Sequence, residues 1–104
     1  MKVKQTDKGT RLIEQWLKRD YLSKHPHADL RIYRYNPAAI RVRIIDPDFA
    51  GMGRADREEL IWPILEKLPE DVRLDITVCL LITPDEQSTS LMNLEFEDPL
   101  PSGF

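Results

Sequence analysis

The sequence predicts a single α+β domain with the element order α-β-β-α-β, and three observations predict it. Residues 39–86 carry a strand pattern, a glycine loop, an apolar-faced helix and a second strand in close succession. A helical repeat of apolar residues stands ahead of them, and a strand rich in arginine and tyrosine lies between the two. At 104 residues, 41% hydrophobic and 32% charged, the chain suits one folded core rather than two cores or a disordered polymer. The reading assigns residues 1–5 to a flexible leader, 6–86 to the α/β domain and 87–104 to an acidic, proline-containing tail.

Thr6 or Asp7 is placed to cap a first helix running to about Ser23. Leu12, Ile13, Trp16, Leu17 and Tyr21 recur at helical spacing on one side of it, and Arg11, Glu14, Gln15, Lys18 and Arg19 face water. His25-Pro26-His27 ends the helix, because proline lacks a donor and disfavours helical geometry in the preceding residue. Two strands follow, Asp29 to Tyr35 and Ala39 to Ile45, joined by a turn at Asn36-Pro37. Leu30, Ile32, Ile40, Val42 and Ile44 alternate onto an inner face. Arg31, Tyr33, Tyr35, Arg41 and Arg43 alternate onto the outer one.

Asp46-Pro47-Asp48 stops the second strand, and Phe49-Ala50-Gly51-Met52-Gly53 forms a loop in which glycine is free to take positive φ. Asp56 followed by Glu59 has capping-box form, and Leu60, Ile61, Ile64, Leu65 and Leu68 make the apolar stripe of a helix that Pro69 ends. Pro63 interrupts that helix at a cost of about 3 kcal/mol, which predicts a kink or a split, with Trp62 either exposed or turned inward. Val72 to Thr83 then reads as a long, well-covered strand with Leu74, Ile76, Val78, Leu80 and Ile82 inward. Met92, Leu94 and Phe96 alternate weakly in the tail, where an extra C-terminal strand has room to form.

The net charge of −3 divides unevenly along the chain. The hairpin from Leu30 to Ile45 holds Arg31, Arg34, Arg41 and Arg43 without an acid, whereas Asp85 to Phe104 holds five acids without a base. The tail is therefore expected to dock over the arginines, within one chain or between two, which gives a route to a homodimer. No apolar run reaches the roughly 18 residues that span a bilayer, and the leader is polar, so a cytoplasmic protein without membrane contact is expected.

Chemistry-bearing residues are sparse. His25, His27 and Cys79 have no ligand spacing, and Asp46, Asp48 and Asp56 are too few for a calcium loop, so they are read as loop residues, turns and a cap. No metal and no cofactor are expected. No nucleophile, base and orienter stand in a recognisable arrangement, so no catalytic residue is assigned. Gly51-Met52-Gly53-Arg54 lacks both the spacing of a KH loop and the lysine of a P-loop.

The segment with Ile40 and Val42 in a strand, Phe49 with Gly51, Arg57 six residues on, Ile61-Trp62, Ile64-Leu65 and then Thr83-Pro84-Asp85-Glu86 resembles the BolA family. The family's fold is similar to the type II KH domain, which implies helices on one face of a small mixed three-stranded sheet. The resemblance covers about half the chain. It implies a non-enzymatic protein-interaction or adaptor domain, with a monothiol glutaredoxin or a regulator as partner. Phe49, Gly51, Gly53, Arg54, Arg57 and Trp62 would shape its loop-helix surface. The family's ligand histidine at the start of the last strand is absent, since Val72-Arg73-Leu74-Asp75 stands there. The alternative function is a KH-like module for single-stranded nucleic acid, using Arg31, Tyr33, Tyr35, Arg41, Arg43 and Arg54 as cations and stacking rings.

Overall fold

The fold is built around Ala39–Ile45, a strand that has almost no contact with water on either side. In the computed structural model, which describes residues 7–101, this strand (β2) pairs antiparallel with β1 (Asp29–Asn36) and parallel with β3 (Ile76–Ile82). The mixed sheet has the order β1-β2-β3. The chain is therefore a single small α+β domain with the expected α-β-β-α-β order, to which two short helices are added.

Helix α1 spans Lys8–Asp20 and begins at a full capping box: the Asp7 side chain accepts from the Thr10 N–H, and the Thr10 hydroxyl accepts from the Asp7 N–H. That arrangement satisfies two of the donors a helix start leaves open. The helix stops at Asp20 rather than Ser23, and Leu22–Lys24 tightens into a 3-10 turn. Ile13, Leu17 and Tyr21 are buried, with Leu12 and Trp16 packed half-buried beside them. They meet Ile40, Val42 and Ile44 from β2 and Ile61, Ile64 and Leu65 from helix α2 in one core.

Helix α2 spans Arg54–Leu65. Its N-cap is Gly53, not Asp56, and no side chain caps it; Asp56 sits in the first turn, where a negative charge favours the helix dipole. Pro63 lies inside α2 without ending it at once. The helix stops two residues later, and the chain tightens through bonds from Lys67 N–H to the Ile64 carbonyl and from Leu68 N–H to the Leu65 carbonyl. Trp62 is half-buried against the core.

The last strand departs from expectation in its start, its phase and its place in the sheet. Residues expected to begin the last strand form helix α3 (Glu70–Asp75), started by Pro69 and favoured by Glu70 and Asp71 in its first turn. Leu74 is consequently 69% exposed rather than inward. The strand itself also changes phase. Ile40 faces Ile76 but Arg41 faces Val78, so Thr77 is an extra residue on β3. Beyond that bulge Cys79 and Leu81 align with Val42 and Ile44 on the helix-covered side, and Val78 and Leu80 align with Arg41 and Arg43 on the other. Nor is β3 the covered strand: β2 is central and β3 is an edge.

The tail segment is helical. Ser90 caps helix α4 (Leu91–Glu97) by accepting from the Asn93 N–H, so the inward residues are Asn93 and Phe96 at helical spacing rather than Met92, Leu94 and Phe96. In place of an added strand, α4 lies on the sheet face opposite α1 and α2, where Phe96 meets Tyr33 edge-on at 4.9 Å between ring centres. The leader, Thr6 and residues 102–104 lie outside the described residues. No described helix is long and apolar enough to cross a membrane.

These placements separate two leucine-family residues sharply. Replacing fully buried Ile44 with Ala is expected to cost about 2–5 kcal/mol in urea unfolding, whereas Leu74→Ala should change stability by less than about 0.5 kcal/mol. A large loss from Leu74→Ala would return residue 74 to the core.

Candidate functional site: the arginine face and the β3 groove

Two arginines of the hairpin, Arg41 and Arg43, are brought together and largely withdrawn from water, whereas Arg34 pairs with Asp7 and Asp75. Arg43, in the middle of β2, is 3% exposed. Its Nη1 donates to the Asn93 Oδ1 and the Glu97 carboxylate, each at 2.7 Å, and its guanidinium lies 4.9 Å from the centre of the Phe96 ring. Arg41 pairs with Glu95 at 2.7 Å and stacks on Tyr35 at 3.7 Å. Tyr33 donates its hydroxyl to the Phe96 carbonyl at 2.7 Å, and Tyr35 donates to that of Leu100. Burial pushes the Tyr33 hydroxyl above its ordinary pKa. The acidic helix therefore neutralises the face that carries Tyr33, Tyr35, Arg41 and Arg43, while Arg31 stays exposed. Bonds from Asn93, then Arg43 and Gln87, hold the Glu97 carboxyl below the usual carboxylate range.

The loop-helix residues form a second group. Phe49 is fully buried, so it serves the core. Gly51 takes φ of 81°, a left-handed conformation that side chains disfavour, whereas Gly53 is the extended N-cap of α2. Arg57 is a clamp. Its Nε donates to the Met52 carbonyl at 3.1 Å and its Nη1 to the Leu81 carbonyl at 2.9 Å and the Glu86 carboxylate at 2.7 Å. Glu86 in turn accepts from the Thr83 N–H, which closes a capping box on the 3-10 turn Pro84–Glu86. One guanidinium thus ties the glycine loop, the end of β3 and the following turn together. Arg54 is exposed at the start of α2, and Trp62 belongs to neither group.

A groove of about 590 Å³ runs along β3 beside the clamp. Met52, Arg54, Arg57 and Glu58 line one side, Thr89, Ser90 and Met92 the other, and residues 77–82 form its floor. Cys79 lies on that floor, and burial first, with the Glu58 charge second, pushes its thiol up to about 12. It is a neutral thiol at physiological pH and a poor nucleophile or metal ligand.

Sequence reasoning missed a polar knot. The Tyr21 hydroxyl donates to the fully buried Asp46, whose other oxygen accepts from the Asp48 N–H at 2.9 Å. His25 stacks on Tyr21 with ring centres 4.0 Å apart and places Nδ1 2.8 Å from Asp48 and 3.4 Å from Asp46. The His25, Asp46 and Asp48 ligand atoms lie within 4.8 Å of one another, a span that can hold a metal ion. The inner oxygens already have donors, so the knot ties the end of α1 to the end of β2. His25 and Asp46 are 21 residues apart, and no spacing rule joins them in sequence. Comparison with known proteins adds no relative: no family model, curated protein or solved structure matches the chain.

The clamp has a pH signature. The bond from Arg57, followed by the backbone bond from Thr83, lowers the Glu86 carboxyl from its ordinary 4.5 to about 2. A carboxyl depressed in the folded state stabilises the fold above its unfolded pKa, and that contribution fades as pH falls from 4.5 towards 2. Glu86→Gln is expected to flatten the fall in urea midpoint across this window. Parallel midpoint curves for the two proteins would remove the clamp from the acid response.

Proposed function

We propose that the chain is a small, non-enzymatic protein-interaction domain of BolA-like form. The observation that carries this reading is the apolar outer side of α4 and the residues after it. Leu91 is 80% exposed, Met92 52%, Leu94 54% and Leu100 69%. A short helix that has already buried Asn93 and Phe96 ordinarily turns polar residues outward. Leu91 and Leu94, one turn apart on that outer side, support a partner surface instead. Met92, on the flank of the same helix, lines the β3 groove.

Protein is favoured over nucleic acid because Arg41 and Arg43, the cations a single strand would use, already hold Glu95 and Glu97. A monothiol glutaredoxin remains the partner that the family resemblance brings forward. In such a complex Cys79 is a poor candidate to donate a cluster ligand, given its buried neutral thiol, so the contact would rest on surface complementarity.

Capture from native lysate on the full chain tests the reading, with the Leu91→Glu/Leu94→Glu double variant alongside. Specific proteins are expected on the wild type and a loss of tenfold or more on the variant. Recovery of nuclease-sensitive oligonucleotide alone would contradict the proposal. A cluster-loaded monothiol glutaredoxin that forms no complex in gel filtration would withdraw only that partner.

A further inference from the structure

The two edges of the sheet are treated differently by the sequence. β1, one edge, carries Asp29, Arg31 and Arg34, charges of the kind that keep an exposed strand from pairing with another chain. β3, the other edge, reads Ile-Thr-Val-Cys-Leu-Leu-Ile, with no charge and no proline. Among the described residues no strand pairs with its outer side. An uncharged edge of this kind is ordinarily covered.

The backbone groups on that side can be identified. The Ile82 carbonyl accepts from the Asp46 N–H at 2.9 Å, so Ile82 faces β2. Alternation along the strand turns Leu81 and Cys79 the other way. The Leu81 carbonyl is indeed taken from outside the sheet, by Arg57 at 2.9 Å. The Cys79 N–H and carbonyl and the Leu81 N–H therefore face the groove, with the Arg57–Glu86 pair closing its Leu81 end.

The walls select the occupant. Helix α2 on one side and residues 89–92 on the other leave the edge recessed between them. A second copy would bring an equally recessed β3 with its own walls, so two copies cannot bring these edges together. A single slender extended segment fits. Charge orders that segment. Glu58 lines the groove together with Cys79 and disfavours an acid at the centre, whereas Arg54, with a side chain 92% exposed, lines it one turn before Arg57. The Arg54–Glu58 contact is a surface pair at 3.3 Å, of a kind that exchanges readily. Met52 and Met92 face the groove from opposite walls, and methionine adapts to varied side chains.

We propose that the groove receives an extended segment of a partner protein, about five residues long, apolar at its centre and acidic at the end beside Arg54, which adds to β3 as a fourth strand. This rests on the reading of the chain as a protein-interaction domain and adds the place and chemistry of contact.

Selection of a random heptapeptide display library on the full chain tests it, followed by amide hydrogen exchange with the enriched peptide as a synthetic probe. Enriched sequences are expected to alternate apolar residues and to carry Asp or Glu at one end. The bound peptide should slow exchange at the Cys79 and Leu81 amides at least tenfold. Thr77→Lys, which charges an exposed position on the edge, should weaken the peptide tenfold or more. Arg54→Glu, at a position that bears no packing, should reverse the terminal preference to Lys or Arg. No enrichment overturns the proposal, as does a peptide that binds without protecting Cys79 and Leu81. If Thr77→Lys does not fold, Arg54→Glu decides alone, and an unchanged terminal preference overturns the proposal. Lysate partners that survive Thr77→Lys but are lost with Leu91→Glu/Leu94→Glu would sink the edge and leave the interaction reading standing.

Discussion

A central strand that is greasy on one side and cationic on the other has to be covered twice. Ile40, Val42 and Ile44 are covered by α1 and α2 through ordinary apolar packing. Arg41 and Arg43 point the opposite way, and burying them unpaired would cost several kcal/mol each. The acids that follow β3 meet that demand: Glu95 and Glu97 supply charge, Asn93 a carbonyl and Phe96 a ring face. The settlement is incomplete, since the Nε of Arg41 and that of Arg43 are both buried without a hydrogen-bond partner. The ion pairs specify where α4 sits more than they add net stability.

The surface follows from that placement. With the arginine face occupied, the polar chemistry most visible in the sequence is spent on ion pairs within the molecule, and the residues most exposed on α4 include Leu91, Met92 and Leu94. The same helix leaves the far edge of β3 uncovered and walls it on one side, while α2 walls it on the other. The Arg57 clamp then fixes the distance between the glycine loop and the end of β3. The exposed apolar side of α4 and the internal electrostatics are thus two outcomes of one docking event.

Much of this architecture is legible in the residues, and the parts that are not have physical reasons. The alternation of Ala39 to Ile45 defines β2 at both ends, because one of its sides must be wholly apolar and the other carries the arginines. Asp7 is legible as a cap and Asn36-Pro37 as a turn. β3 misleads because a run of Ile, Val and Leu has no polar phase of its own; the bulge at Thr77 shifts its inward side by one residue and only pairing with β2 reveals it. α4 misleads because seven residues with Leu, Met and Phe fit both periods, and the deciding signal, Ser90 ahead of Asn93, is a single capping bond. Pro63 is tolerated because it falls in the last turn, where few further helical bonds depend on it. Of the candidate site, the grouping of Tyr33, Tyr35, Arg41 and Arg43 is legible from alternation, and so is the acidic segment that covers them. The groove is not, because it depends on β3 being an edge, and the Tyr21–His25–Asp46–Asp48 knot joins segments that no local rule connects.

Hydrogen exchange at the arginine side chains reads this account most directly. If α4 seals the cationic face of β2, NMR at neutral pH should find the Nε–H of Arg41 and Arg43 exchanging at least tenfold more slowly than those of exposed Arg31 and Arg54. Equal rates at all four would mean that water reaches the face freely and that α4 does not cover it.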